Sequence, residues 1–134
     1  MTKSLVITLG NLGESLIRSA EEIIGKSDAI DTYCIDWQEQ VETSRRNISQ
    51  RIERMNDERG LLLLTDIWGG TSTNIALDFR QPGKVEVVTG VNLPMVVTAQ
   101  RLTNRLSLPD AAEHLRTKSR EAIMVAGPIV QEGG

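Results

Sequence analysis

The sequence predicts an α/β fold: an open, mainly parallel sheet with helices on both faces. Three observations lead there. Short apolar runs alternate with longer stretches of helical periodicity, the pattern of successive βαβ units. One of those runs, Leu61–Leu64, is an unbroken row of leucines, which in a strand means burial on both faces and a central place in the sheet. Glycine-bearing turns follow the runs that end near 9, 65 and 89, where a parallel sheet puts its site loops.

In chain order, the first strand is expected at Leu5–Thr8. Gly10 and Gly13 then turn the chain into a helix whose apolar positions are Leu12, Leu16, Ala20, Ile23 and Ile24, and Gly25 stops it. A second strand covers Ile30–Ile35. A long polar helix follows over Gln38–Asn56, with Val41, Ile48, Ile52 and Met55 on one face and arginines and glutamates on the remainder. Leu61–Thr65 is the third strand and ends in Asp66. A short helix spans Ser72–Phe79, and Pro82-Gly83 turns into a fourth strand, Val85–Thr89. A helix begins near Met95, and another starts at Ser107-Leu108-Pro109-Asp110, a serine cap with an acid three residues on. The apolar run Ala122–Ala126 reads as a fifth and last strand.

With 134 residues and no linker, repeat or low-complexity stretch, the chain is expected to be one domain over 1–134. A net charge of −3 supplies no broad positive field, so nucleic-acid binding is not expected. The longest apolar runs fall far short of a membrane span, and the opening is too soon broken by Gly10 to be a secretory signal. With one cysteine, Cys34, read as a buried strand residue, a reducing cytoplasm is the expected setting. No metal-type Cys/His spacing occurs, so neither a metal nor a cofactor is expected.

The loops Leu9–Gly13, Asp66–Thr73 and Gly90–Pro94 are the candidate site. The middle one sets a carboxylate at a strand end, then Gly69 and Gly70, then Thr71 and Ser72 opening a helix. Glycines allow close backbone approach and a helix start offers free N–H groups to an anion, although a plain glycine turn with hydroxyl caps reads the same residues equally well. Nucleotide fingerprints are missing: there is no Gly-x-x-x-x-Gly-Lys-Ser/Thr loop, and Gly10-Asn11-Leu12-Gly13 does not match Gly-x-Gly-x-x-Gly.

Three segments carry a family resemblance. Val6–Leu16, Leu64–Asn74 (with Asp66-Ile67-Trp68-Gly69-Gly70-Thr71-Ser72) and Gly90-Val91-Asn92-Leu93-Pro94-Met95 resemble, in order and spacing, the three signatures of mannose-family enzyme IIA domains of the bacterial phosphoenolpyruvate-dependent sugar phosphotransferase system. The resemblance covers essentially the whole chain. It implies a histidine at the end of the first strand that takes a phosphoryl group from HPr and passes it to a IIB partner. By position Leu9 stands where that histidine would be, and Asp66 matches the aspartate that orients it. It further implies that Gly69, Gly70, Thr71 and Ser72 lie against the phosphoryl group, and that the chain is a homodimer exchanging its last strand.

Leucine has no lone pair, so phosphoryl acceptance is expected to be absent in this chain. The single histidine, His114, falls mid-helix, remote from the loops, and is read as a surface residue. A lost acceptor and a deliberately replaced one both account for Leu9. The family-like surroundings of Asp66, Gly69-Gly70 and Asn92-Leu93-Pro94 argue against long neutral decay. The alternative function is a regulatory protein-binding module on the same scaffold, with Trp68, Asn92 and Pro94 at the partner face and Trp68 as an aromatic anchor. The arginines of the long helix are read as a solvated face.

Overall fold

The computed structural model describes residues 1–103 and 105–133. Four strands, β1 (Lys3–Leu9), β2 (Ile30–Ile35), β3 (Leu61–Thr65) and β4 (Val85–Thr89), form one sheet in the order β2-β1-β3-β4. All three pairings are parallel; Leu5 sits opposite Asp31 and Leu63, and Leu63 opposite Val87. The helices are α1 (Leu12–Ile24), α2 (Val41–Met55), α3 (Thr71–Asp78), α4 (Leu93–Ala99), α5 (Leu108–Glu121) and α6 (Ala126–Gly133).

Period-two alternation divides the strand residues between two cores. Val6, Leu62 and Leu64 face α1, α4 and α5, meeting Ala20, Met95, Val96, Ala111 and Leu115. Leu5, Ile7, Leu61 and Leu63 face α2 and α3, meeting Ile48, Ile52, Ile75 and Ala76. The row Leu61–Leu64 is therefore wholly buried because successive leucines serve opposite cores. Leu9 continues the Leu5–Ile7 row and packs, half-buried, at its upper end.

Thr8 builds the first turn. Its buried hydroxyl donates to the Gly10 carbonyl at 3.3 Å and accepts the Gly13 amide at 2.9 Å, so α1 starts directly against β1. Gly10 takes φ +66, which glycine adopts without steric cost. Gly25, at φ 84, ends α1 as expected, and Ser107 caps α5 by accepting the Asp110 amide at 3.3 Å.

Three expectations are corrected. Ala122–Ala126 is not a strand: α5 runs to Glu121, the Ala122 and Ile123 amides turn back to Lys118 and Arg120, and α6 starts at Ala126. Ile123, Met124 and Val125 are 77%, 66% and 78% exposed, so the run has neither a sheet neighbour nor an apolar face to lie against among the described residues. An apolar run becomes a strand only where an edge receives it, and here none does. Cys34 lies in β2 as expected but is half-buried, because β2 is an outer strand. Val41 likewise leaves the apolar face of its helix, at 46% exposure.

A Cβ at Gly13 would stand 2.4 Å from Thr32 Oγ1 and 3.2 Å from both Thr8 Oγ1 and Val6 Cγ1. Gly13→Ala is therefore expected to destabilise the fold by about 1–3 kcal/mol in urea unfolding, the usual cost of overpacking. Gly127→Ala, with nothing within 4 Å, should lose nothing.

Candidate functional site

Sheet order places the site. The chain leaves β1 for β2 on one side and then crosses to β3 on the other, so the loops after β1 and β3 diverge and leave a crevice at their carboxyl ends. Leu9 and Asp66 stand on its two sides.

Asp66 is tied down on both carboxylate oxygens. Oδ2 accepts the Leu9 amide at 2.9 Å, and Oδ1 accepts the Ile67 amide at 2.8 Å together with the Ser72 hydroxyl. One side chain thus joins the end of β1, the loop after β3 and the first turn of α3. Its charge is met by hydrogen bonds to backbone amides and a hydroxyl, with no imidazole required.

The Asp66–Gly70 loop is shaped by two more constraints. Gly69 takes φ +85, and a Cβ at Gly70 would come within 2.9 Å of Ile67 Cγ2. Beneath it, the buried Thr73 hydroxyl lies 2.6 Å from the Ile67 carbonyl and 2.8 Å from Thr65 Oγ1. Gly70 is the N-cap of α3, with no side-chain cap, and half-buried Thr71 and buried Ser72 open the helix. Asn92 has a structural duty of its own: it caps α4 by accepting the Met95 amide at 2.9 Å, with exposed Pro94 in the first turn.

The structure gathers Leu9, Asp66, Gly69, Gly70, Thr71 and Ser72 at the ends of β1 and β3, and brings Asn92 close through β4, whose end pairs Thr89 with Thr65. Trp68 is 71% exposed beside Ile67 at 62%. His114 lies exposed on α5, outside this group, as the sequence indicates. Two arginines of α2 are committed to ion pairs, Arg45 with Asp78 and Arg51 with Asp31.

Sequence reasoning missed Trp37. It follows β2, is 76% exposed, and its indole nitrogen would lie 3.2 Å from a Cβ at Gly10, one residue past position 9. Its loop is anchored: Glu39 accepts the Tyr33 hydroxyl at 2.9 Å and the Ser44 hydroxyl, and Asn47 donates to the same tyrosine at 2.9 Å. Burial, with the neighbouring Glu39, raises the Tyr33 pKa above its ordinary value, the Asn47 bond and the Arg51 charge opposing them. The available signal was the parallel order itself, which sends the loop after β2 to the same edge as the other three.

Charge is one-sided here. The strand-end segments 9–15, 36–42, 66–73 and 90–94 contain Glu14, Asp36, Glu39, Glu42 and Asp66 and no lysine or arginine. Arg18 answers Glu14 at 2.7 Å, and Arg45 answers Glu42 at 3.6 Å, each from farther along its helix.

Comparison with known proteins follows this geometry. A family model described as "PTS system fructose IIA component" (EIIA-man) matches residues 3–116. A fructose-specific EIIA component of Bacillus subtilis is 26% identical over 124 residues, covering 92% of this chain and 85% of that protein. A mannose-specific EIIAB component of Escherichia coli is 31% identical over 99 residues, covering 72% of this chain but only 31% of its own length. The crystal structure of a phosphotransferase system EIIA component from Streptococcus agalactiae superposes with a TM-score of 0.85 at 23% identity, covering 96% of this chain and 99% of that one.

The two amides on Asp66 sit on different oxygens, so an asparagine in either orientation would set its NH2 against one of them. Asp66→Asn is expected to cost about 1–3 kcal/mol in denaturant unfolding. Ser72→Ala, which leaves both amides served, should cost less.

Proposed function

The chain belongs to the mannose-type EIIA family of the sugar phosphotransferase system, and from that premise we propose that it is a IIA phosphocarrier scaffold whose own acceptor step is absent while leucine stands at position 9. The supporting observation is the Asp66 carboxylate, 2.9 Å from the backbone nitrogen of residue 9 and held rigid by Ile67 and Ser72. A histidine at 9 would start from a strand end already bonded to its orienting partner. The start of α3, with Gly69, Gly70, Thr71 and Ser72, would offer backbone amides and the Thr71 hydroxyl to a phosphoryl group on that ring, the Ser72 hydroxyl being spent on Asp66.

In the relay this implies, HPr would supply the phosphoryl group, the ring nitrogen of a histidine at position 9 would hold it, and a IIB component would take it on toward sugar uptake or its regulation. Donor and acceptor are proteins, so the reading needs no cofactor. We read 1–134 as one such domain, acting in the cytoplasm without nucleic-acid or direct membrane contact; no helix among the described residues is long and apolar enough to cross a membrane.

A homodimer belongs to the same reading. A groove of about 470 Å³ runs between β4 and α5, lined by Glu86, Val87, Thr89, Pro109, Ala112 and Arg116. The exposed Ile123–Val125 segment of a second copy is the occupant we assign to it, adding a strand to the β4 edge.

One observation favours a second use of the same edge. Trp37, Ile67 and Trp68 stand exposed around strand-end segments that carry acids and no lysine or arginine, which suits a protein surface better than a free anion. On this reading the unmodified chain docks its partners and is never phosphorylated.

Intact mass after incubation with phosphoenolpyruvate, enzyme I and HPr tests the first reading. Leu9→His is expected to gain a phosphoryl group and the parent chain none, and Asp66→Asn added to Leu9→His should slow the transfer. A phosphorylated parent, or an inert Leu9→His chain that folds normally, sinks the acceptor assignment. For the second reading, Trp68→Ala and Trp37→Ala are each expected to weaken calorimetric binding of the parent chain to HPr about tenfold or more, as buried aromatic anchors do.

A further inference from the structure

β4 is the outer strand of the sheet on the β3 side, and two consecutive stations along its free edge are closed by the chain's own groups. At the first, Val85 and Gln81 exchange both backbone hydrogen bonds at 2.9 Å in a small antiparallel bridge. Two residues on, where strand alternation again points the amide outward, Val87 N–H donates to Glu86 Oε1 at 2.9 Å. That carboxylate is clamped from behind. Arg80, just past the end of α3, donates Nε to Oε1 at 2.8 Å and Nη2 to Oε2 at 3.1 Å. Fork-to-fork pairing of this kind fixes a carboxylate in direction as well as in charge.

The location gives the clasp its meaning. Glu86 and Val87 also line the groove between β4 and α5, so the clasp occupies one of the backbone groups that an added strand would use. A free edge invites pairing, and charged side chains on it are a known means of blunting it. Glu86 does more than repel: it occupies the amide itself.

We propose that Glu86 and Arg80 form a gate on the β4 edge, which must open before the Ile123–Val125 segment of a second copy can pair there. The gate rests on the strand-addition reading given above. Opening exchanges the Glu86 bond to Val87 N–H for an interchain backbone bond and leaves the Arg80–Glu86 pair to swing outward as a unit. Association is therefore weaker and slower than the apolar segment alone would make it. Arg80 acts through Glu86, holding the carboxylate over the amide.

Sedimentation velocity over a concentration series, on the full chain and its variants, tests this. Glu86→Ala is expected to lower the dimer dissociation constant about fivefold or more, one backbone hydrogen bond no longer being contested. Arg80→Gln, which frees the carboxylate from its clamp, should shift it in the same direction by less. Val125→Asp, in the arriving segment, should abolish association with Glu86 intact. Thermal unfolding of each variant controls for folding, since Glu86 and Arg80 are partly exposed, at 23% and 45%. A Glu86→Ala chain that dimerises no more tightly than the parent overturns the gate and leaves strand addition standing. Association unaffected by Val125→Asp, or no self-association in any variant, overturns strand addition and the gate with it.

Discussion

The site edge of this protein hangs on the Asp66 carboxylate. Its oxygens collect the amide that ends β1, the amide that begins the loop after β3, and the hydroxyl in the first turn of α3. Parallel strands share no tight hairpin, so their ends are free to splay unless something bridges them. Here the bridge lies at the switch point, where the loops on either side turn opposite ways. Thr8 and Thr73 extend the same work downward, the first binding the start of α1 to β1, the second binding the Asp66–Gly70 loop to β3. Gly70 and Gly13 then permit close approaches that a side chain would block, and Gly69 takes a φ of +85 that favours glycine. A small number of short-range polar contacts so fixes the loops after β1 and β3 within reach of one another, which is what a transfer site or a docking site requires.

This bears on the histidine that the family resemblance would place at position 9. Read from sequence, an aspartate facing a leucine looks like the remnant of a catalytic pair, and its presence argues for recent or selected change. In the structure it is not a remnant. The carboxylate is satisfied without an imidazole, and its removal would leave two backbone amides to find other partners. Asn92 is a similar case, since it caps α4 whatever it does for a partner. Position 9 differs in kind: Leu9 caps the Leu5–Ile7 row of one core, so leucine serves packing there as well as any residue could. On the proposed reading the surroundings would be held by structure and the acceptor by chemistry alone, so an acceptor could be exchanged while the surroundings stood.

Most of the fold was legible because burial on two faces writes itself plainly into sequence. The leucine row of β3, the glycine stops and the Ser107 cap each carry a local signal whose physical cause lies within a few residues. Leu9, Asp66 and the start of α3 were legible for a different reason, being set by their place at the ends of strands. What failed needed information held elsewhere in space. Trp37 has no motif, and it joins the site only because β2 lies beside β1 and sends its following loop to the same edge. Cys34 was read as buried from its apolar neighbours, but an outer strand buries less than its composition suggests. Ala122–Ala126 was read as a strand because its residues favour one, although strand propensity is only a readiness to pair.

That last case connects the two ends of the molecule. The β4 edge offers backbone groups and a groove but is closed at Val85 and Val87, while Ile123–Val125 offers an apolar segment with nothing to lie against. Each is costly left alone in water: an open edge invites indiscriminate pairing, and an exposed apolar run invites collapse onto whatever is near. The Glu86–Arg80 clasp relieves the first problem without solving the second. A chain that meant only to stay monomeric would have blunted both, with charge in the segment as well as on the edge. On the proposed strand addition, guarding the edge while leaving the segment apolar would let the surface pair selectively, one sequence displacing the clasp and the rest being turned away.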